Sequence, residues 1–162
     1  MKKKYLYNLA MVVIVATIAI SLTSCDKDSD SDMSGFAGAW KLQSSSGYEE
    51  DWVYVKFMSN GTYVEVDHGY GGYCSVQTGE CWVDSKTRTI NVRPQSYKTT
   101  EPYSIPLTGT TIGMEIVEKT DNKMTLRTLG SEATDTYVRV SNSEFEQKYA
   151  TVMNIISSYL SY

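Results

Sequence analysis

The chain has 162 residues, of which 41% are hydrophobic and 12% aromatic, and its formal net charge is −4. This length and composition suit a single globular domain with a sizeable core and exclude wholesale disorder. The acidic balance argues against nucleic acid as a partner, because phosphate groups are bound by clustered lysine and arginine.

The first segment of the chain is typical of an export signal. Three lysines at positions 2–4 precede an uncharged, mostly aliphatic run at residues 9–20. This run is short for a membrane span, which needs about 20 residues, but it suits a secretory signal. An uncleaved membrane anchor is the alternative interpretation.

The residues that follow, Leu22-Thr23-Ser24-Cys25, resemble the lipobox of bacterial lipoproteins. In that class the signal is cut just before the cysteine, which then carries acyl chains that hold the domain at a membrane. The resemblance implies a signal peptide over residues 1–24 and a lipidated Cys25, whose lipid anchor binds the protein to a membrane.

Residues 25–35 are expected to be the lipidated cysteine and an acidic tether, because residues 26–32 carry four aspartates and no apolar side chain. Acidic tracts in this place resemble the surface-export signals of some Gram-negative lipoproteins. Aspartate directly after the cysteine instead resembles the inner-membrane retention signal of enteric bacteria. We expect a cell-envelope lipoprotein of the outer membrane, with exposure on its outer face and inner-membrane retention as the two open alternatives.

Two further cysteines, Cys74 and Cys81, flank a segment that is predicted to be a loop with a glycine turn. An even pair in an oxidising compartment favours a disulfide, which would stabilise the fold by about 2.5 kcal/mol through loop entropy. A metal site would need more ligands nearby, and His68 is the single histidine of the sequence. Two free thiols are the alternative.

From Trp40 onward, apolar and polar residues alternate in short runs separated by turn residues, the pattern of β-strands. Asn60-Gly61 is the strongest hairpin signal. The spacing predicts an all-β, antiparallel barrel or sandwich of eight or nine strands within residues 36–140. The predicted strands are residues 40–43, 52–58, 62–67, 80–84, 89–93, 103–107 and 111–118, a strand containing Met124 and Leu126, and residues 136–140.

The pattern changes to helical spacing over residues 141–162. Ser141 with Glu144, or Ser143 with Glu146, would form a capping box at its start. The apolar stripe could pack along the outside of the barrel or form a docking face for a partner. The residues of this stripe are Phe145, Tyr149, Val152, Ile156 and Tyr159.

Several fragments in order resemble the bacterial lipocalin-like domains, small calycin barrels often found on lipoproteins. They are residues 38–40, 57–63, Trp82, 103–105, 124–126 and 137–140. The resemblance implies an up-and-down barrel. It also implies that Trp40, of the G-x-W motif, closes the barrel floor and that Arg139 supplies the cation stacked on its ring.

Motifs for catalysis or cofactor binding are not found in the sequence, which lacks G-x-S-x-G, P-loop, H-E-x-x-H and C-x-x-C patterns. Asp67-His68 beside a glycine-rich segment could join a catalytic arrangement, but a solvated loop pair is the simpler interpretation. We therefore expect a non-enzymatic protein with no cofactor and no metal.

The expected function is the binding of a small apolar or amphipathic ligand inside the barrel, which at eight strands can hold one small molecule or fill with side chains. The alternative is a filled barrel that recognises a glycan or protein partner through its helix or its aromatic residues between positions 50 and 85. The predicted ligand-binding wall consists of Val53, Val55, Phe57, Val64, Val66, Ile112, Met114, Met124 and Leu126.

Overall fold

The computed structural model describes residues 33–43, 51–101 and 108–160. Within these ranges, eight antiparallel strands each pair with the next, and β8 pairs with β1 to close a barrel. The strands are β1 (Gly38–Leu42), β2 (Trp52–Phe57), β3 (Thr62–Gly69), β4 (Tyr73–Asp84), β5 (Thr89–Thr99), β6 (Ile112–Lys119), β7 (Lys123–Thr128) and β8 (Asp135–Val140).

The all-β, antiparallel barrel with a C-terminal helix is confirmed, and its strand number is eight. The predicted signal peptide, Cys25 and the strand at residues 103–107 lie outside the described residues. The segment around His68, predicted to be a flexible loop, is instead the end of β3 followed by a single 3-10 turn at Tyr70–Gly72.

The helix α1 (Asn142–Tyr159) begins at Ser141, whose hydroxyl oxygen accepts a hydrogen bond from the backbone N–H of Glu144 at 3.1 Å. The Glu144 carboxylate accepts a hydrogen bond from the Tyr54 hydroxyl at 2.8 Å and so ties the first turn to β2. Across the described parts of the chain, no helix is both long and apolar enough to span a membrane.

Two apolar cores lie on opposite sides of the sheet. The inner core fills the barrel around Trp40, and the outer core lies between α1 and strands β1 to β4. In the outer core, Phe145, Val152 and Ile156 of the helix pack against residues such as Tyr54 and Val66. Because α1 covers them, β1 to β4 have buried residues on both faces.

The predicted disulfide is wrong, because Cys74 and Cys81 are both free and buried at separate positions along the same strand, β4. The six residues of extended chain between them, residues 75–80, place their Cα atoms on the order of 20 Å apart, whereas a disulfide needs Cα atoms within about 7 Å. They also face opposite ways, since Cys74 belongs to the outer core and Cys81 to the inner core. The segment between them is strand, not loop.

We expect that reductant leaves the melting temperature unchanged and that Cys74 and Cys81 react with a thiol reagent only after unfolding. Burial raises the pKa of the Cys81 thiol to about 12 and also raises that of Cys74, so neither is a thiolate near neutral pH. Thiol titration with and without denaturant measures this. A non-reduced peptide map that contains a linked Cys74–Cys81 peptide would contradict it.

Candidate ligand-binding cavity

Trp40, which is expected to close one end of the barrel, is fully buried in the inner core. Its indole N–H donates a hydrogen bond to the carbonyl oxygen of Phe36 at 2.9 Å, in the turn that precedes β1. The Arg139 guanidinium lies 4.2 Å from the centre of the indole ring, and the two residues are register partners across β1 and β8. The expected stacking of Arg139 on Trp40 is therefore present.

Steric crowding near Trp40 explains why the first position of the G-x-W motif is a glycine. Gly38 has φ of +129°, and a Cβ atom there would collide with Nη1 of Arg139. That guanidinium nitrogen donates a hydrogen bond to the carbonyl oxygen of Ala37 at 2.9 Å. Gly38 thus makes room for the cation that covers Trp40.

Beyond the floor, the barrel encloses a cavity of about 120 Å³. For comparison, an apolar cavity of about 150 Å³ holds one benzene molecule. The cavity can therefore accept one small ring or a chain of four or five carbons. It is lined by Val55, Phe57, Tyr63, Glu65, Gln77, Val92, Ile112, Met114, Leu126 and Tyr137.

The polar side chains of this lining come from β3, β4 and β8. Along β3, the inward face carries Tyr63, then Glu65, and by strand alternation Asp67, in order of increasing distance from the floor. Gln77 is the register partner of Glu65 on β4, and its side-chain amide donates a hydrogen bond to the Tyr63 hydroxyl oxygen at 2.9 Å. The cavity is thus apolar over most of its wall and acidic at one place.

Burial raises the pKa of the Glu65 carboxyl to about 7, and neighbouring Asp67 adds to the effect. The pKa of Asp67 is raised to about 6 by burial, with His68 lowering it and Asp51 raising it. Both groups hold protons more tightly in the folded protein than in the unfolded chain. Their contribution to stability is therefore greatest at low pH and is lost as the pH rises from about 4 to about 7.

Five of the predicted wall residues lie on the cavity, namely Val55, Phe57, Ile112, Met114 and Leu126. Met124 is buried in the inner core beside it, and Val53 shares the inward face of β2. The prediction that Val64 and Val66 line the interior is wrong, because both lie on the outer face of β3 against the core formed with α1. Their places inside the barrel are taken by Tyr63 and Glu65.

The aromatic residues between positions 50 and 85 do not form one surface. Tyr63 is inside the barrel, Tyr54 is under α1, and Tyr70 is exposed. His68 stacks on Trp52 on the outer face, with ring centres 5.2 Å apart. Because neighbouring residues of a strand point to opposite faces, Asp67 and His68 are not directed into one pocket.

Sequence reasoning missed Glu65 and Gln77, two polar side chains of the cavity wall. A usable signal was present, since the Asn60-Gly61 turn sets the register of β2 against β3 and pairs Val55 with Glu65. Directly paired residues point to the same face of a sheet. Once Val55 is placed inside the barrel, Glu65 has to be inside as well.

Within the described ranges, no three His, Cys, Asp or Glu side chains lie close enough to hold a metal ion. Comparison with known protein families and with curated protein sequences finds no match. The chain is similar to the crystal structure of an uncharacterized protein from Bacteroides eggerthii DSM 20697, at 15% sequence identity and a TM-score of 0.41. The match covers 64% of this chain and 98% of that one.

Proposed function

We propose that this protein is a lipid-anchored outer-membrane lipoprotein whose lipocalin-like barrel binds a small amphipathic molecule. The observation that carries the proposal is the cavity of about 120 Å³, with an apolar wall and the polar groups of Glu65, Gln77 and Tyr137. Pockets that bind small molecules combine these features, a mostly apolar lining with a few placed polar groups. The Trp40–Arg139 floor supports the lipocalin-like assignment.

The lipid anchor is tested by growing cells with radioactive palmitate and following label in the protein. We expect label in the wild-type chain and none in the Cys25→Ala variant, because the thiol of Cys25 is the proposed site of acylation. Fractionation of the labelled cells then assigns the membrane. Unlabelled wild-type protein would contradict the anchor without bearing on the cavity.

The cavity is tested by native mass spectrometry of the full chain, released from micelles after exposure to an envelope extract of its host. We expect a discrete added mass that Ile112→Trp removes, since the larger side chain would fill the space that Ile112 borders. Val117→Trp is the matched control, because Val117 is on the same strand, β6, and 44% exposed. A bare mass with every extract, or an added mass that survives Ile112→Trp, would contradict a ligand in the cavity.

A further inference from the structure

The interior of the barrel carries two neighbouring carboxyl groups. Glu65 lines the cavity, and Asp67 follows it on the same face of β3. Within the described residues, neither carboxyl group forms an ion pair with a lysine or an arginine. The guanidinium that points inward, that of Arg139, is engaged with Trp40 and with backbone carbonyl oxygens.

A third acidic side chain lies close to these two. One carboxylate oxygen of Asp51, Oδ1, is buried and has no hydrogen-bond partner among the described residues. Asp51 acts electrostatically on Asp67, and Asp67 acts on Glu65. A carboxylate shielded from water without a counter-charge is unfavourable, and proteins usually avoid it by pairing or by protonation.

We infer that the cavity binds a small organic cation, an ammonium group on a short apolar tail, with Glu65 as its counter-ion. This inference rests on the proposed ligand-binding function. The ammonium would donate hydrogen bonds to Glu65, and the tail would lie against apolar residues such as Val55, Ile112 and Leu126. An anionic ligand of the fatty-acid type is disfavoured, because it would place a further negative charge beside Glu65 and Asp67.

The same charges make binding depend on pH. The titratable groups nearest to Glu65 are Tyr63 and Asp67 on β3 and Tyr137 on β8. The cavity lining that comes from β2, β5, β6 and β7 is apolar, and the residue that β4 contributes is the neutral Gln77. Burial and Glu65 raise the pKa values of both tyrosines, so they stay neutral. An ammonium group, with a pKa near 10, stays charged from pH 5 to pH 8. Affinity should therefore rise as Glu65 ionises, with its pKa at about 7.

The test uses the full chain in phosphatidylcholine nanodiscs, with 13C-methyl methionine as the label, because Met114 lines the cavity. The Met114 methyl resonance is titrated with three ligands of equal size, butylammonium, 1-butanol and butyrate. At pH 8 we expect butylammonium to bind at least about tenfold more tightly than butanol and butyrate not to saturate. At pH 5.5 the preference for butylammonium should fall by about tenfold, while butanol is unaffected.

Glu65→Gln should reduce the affinity for butylammonium to that for butanol. Glu132→Gln is the matched control, because Glu132 is exposed. This substitution should change neither the affinity for butylammonium nor the affinity for butanol. Glu65→Gln should also melt at a higher temperature than wild type at pH 8 but not at pH 5, which would establish that the variant folds. Equal binding of butylammonium and butanol, or no effect of Glu65→Gln, would overturn the cation inference alone. No response of Met114 to any of the three ligands would overturn the proposed function as well.

Discussion

Trp40→Ala should lower the free energy of unfolding by about 4 kcal/mol. The indole is fully buried, donates a hydrogen bond to Phe36 and lies under the Arg139 guanidinium, so its removal opens a cavity at the closed end of the barrel. It also leaves Arg139 without the ring on which it stacks. Urea or guanidinium unfolding followed by circular dichroism measures the loss.

Trp82→Ala is the matched control for this prediction. Trp82 also lies near a guanidinium, that of Arg93 at 5.3 Å from the ring centre, but its side chain is only half-buried. We expect this change to cost about 1 kcal/mol, since little buried volume is lost. Equal losses for the two variants would mean that Trp40 does not hold the floor together.

Val152→Asp should lower the free energy of unfolding by at least about 3 kcal/mol. Val152 is fully buried between α1 and the outer face of the barrel, in a core with Tyr54 and Val66. A carboxylate there must either be buried unpaired or push the helix away from the barrel. Thermal and chemical unfolding of the two proteins measures the loss.

Asn154→Asp provides the control, because Asn154 is exposed two positions along the same helix and should change the stability by less than about 0.5 kcal/mol. This pair of variants also separates the two interpretations of the helix. A helix that serves chiefly as a docking face for a partner would tolerate Val152→Asp in the isolated protein. A folded, equally stable Val152→Asp variant would therefore favour docking over packing.

The sequence was sufficient to predict most strands and α1, because apolar residues recur at a regular spacing in an element that buries one face. It was also sufficient for the pairing of Trp40 with Arg139, through the resemblance to lipocalin-like domains. It was insufficient on β3, where Val64 and Val66 look like the interior and Glu65 looks like solvent-facing charge. The reason is that α1 buries the outer face of this strand, so hydrophobicity alone selects the wrong side.

The strand β4 was predicted only over residues 80–84, and its first part, residues 73–79, was missed because of a glycine. Gly79 looks like a turn residue, but a Cβ atom there would collide with the carbonyl oxygen of Arg93 on β5. The register between β4 and β5 shifts at this position, which indicates a bulge. A glycine within a strand can mark a close approach of two backbones as readily as a turn, and sequence does not distinguish the two.

The pairing of Ala39 with Val140 closes the barrel between residues about a hundred positions apart, and such distant contacts form slowly. During synthesis from the N-terminus, β1 has β2 as a neighbour, and its other edge stays bare until β8 has been made. The helix follows β8 directly, so closure of the sheet and burial of its outer face come at nearly the same moment. Until residues 135–160 have been made, a sheet of the preceding strands would keep the edge of β1 exposed, and an exposed edge can pair with another copy of the chain.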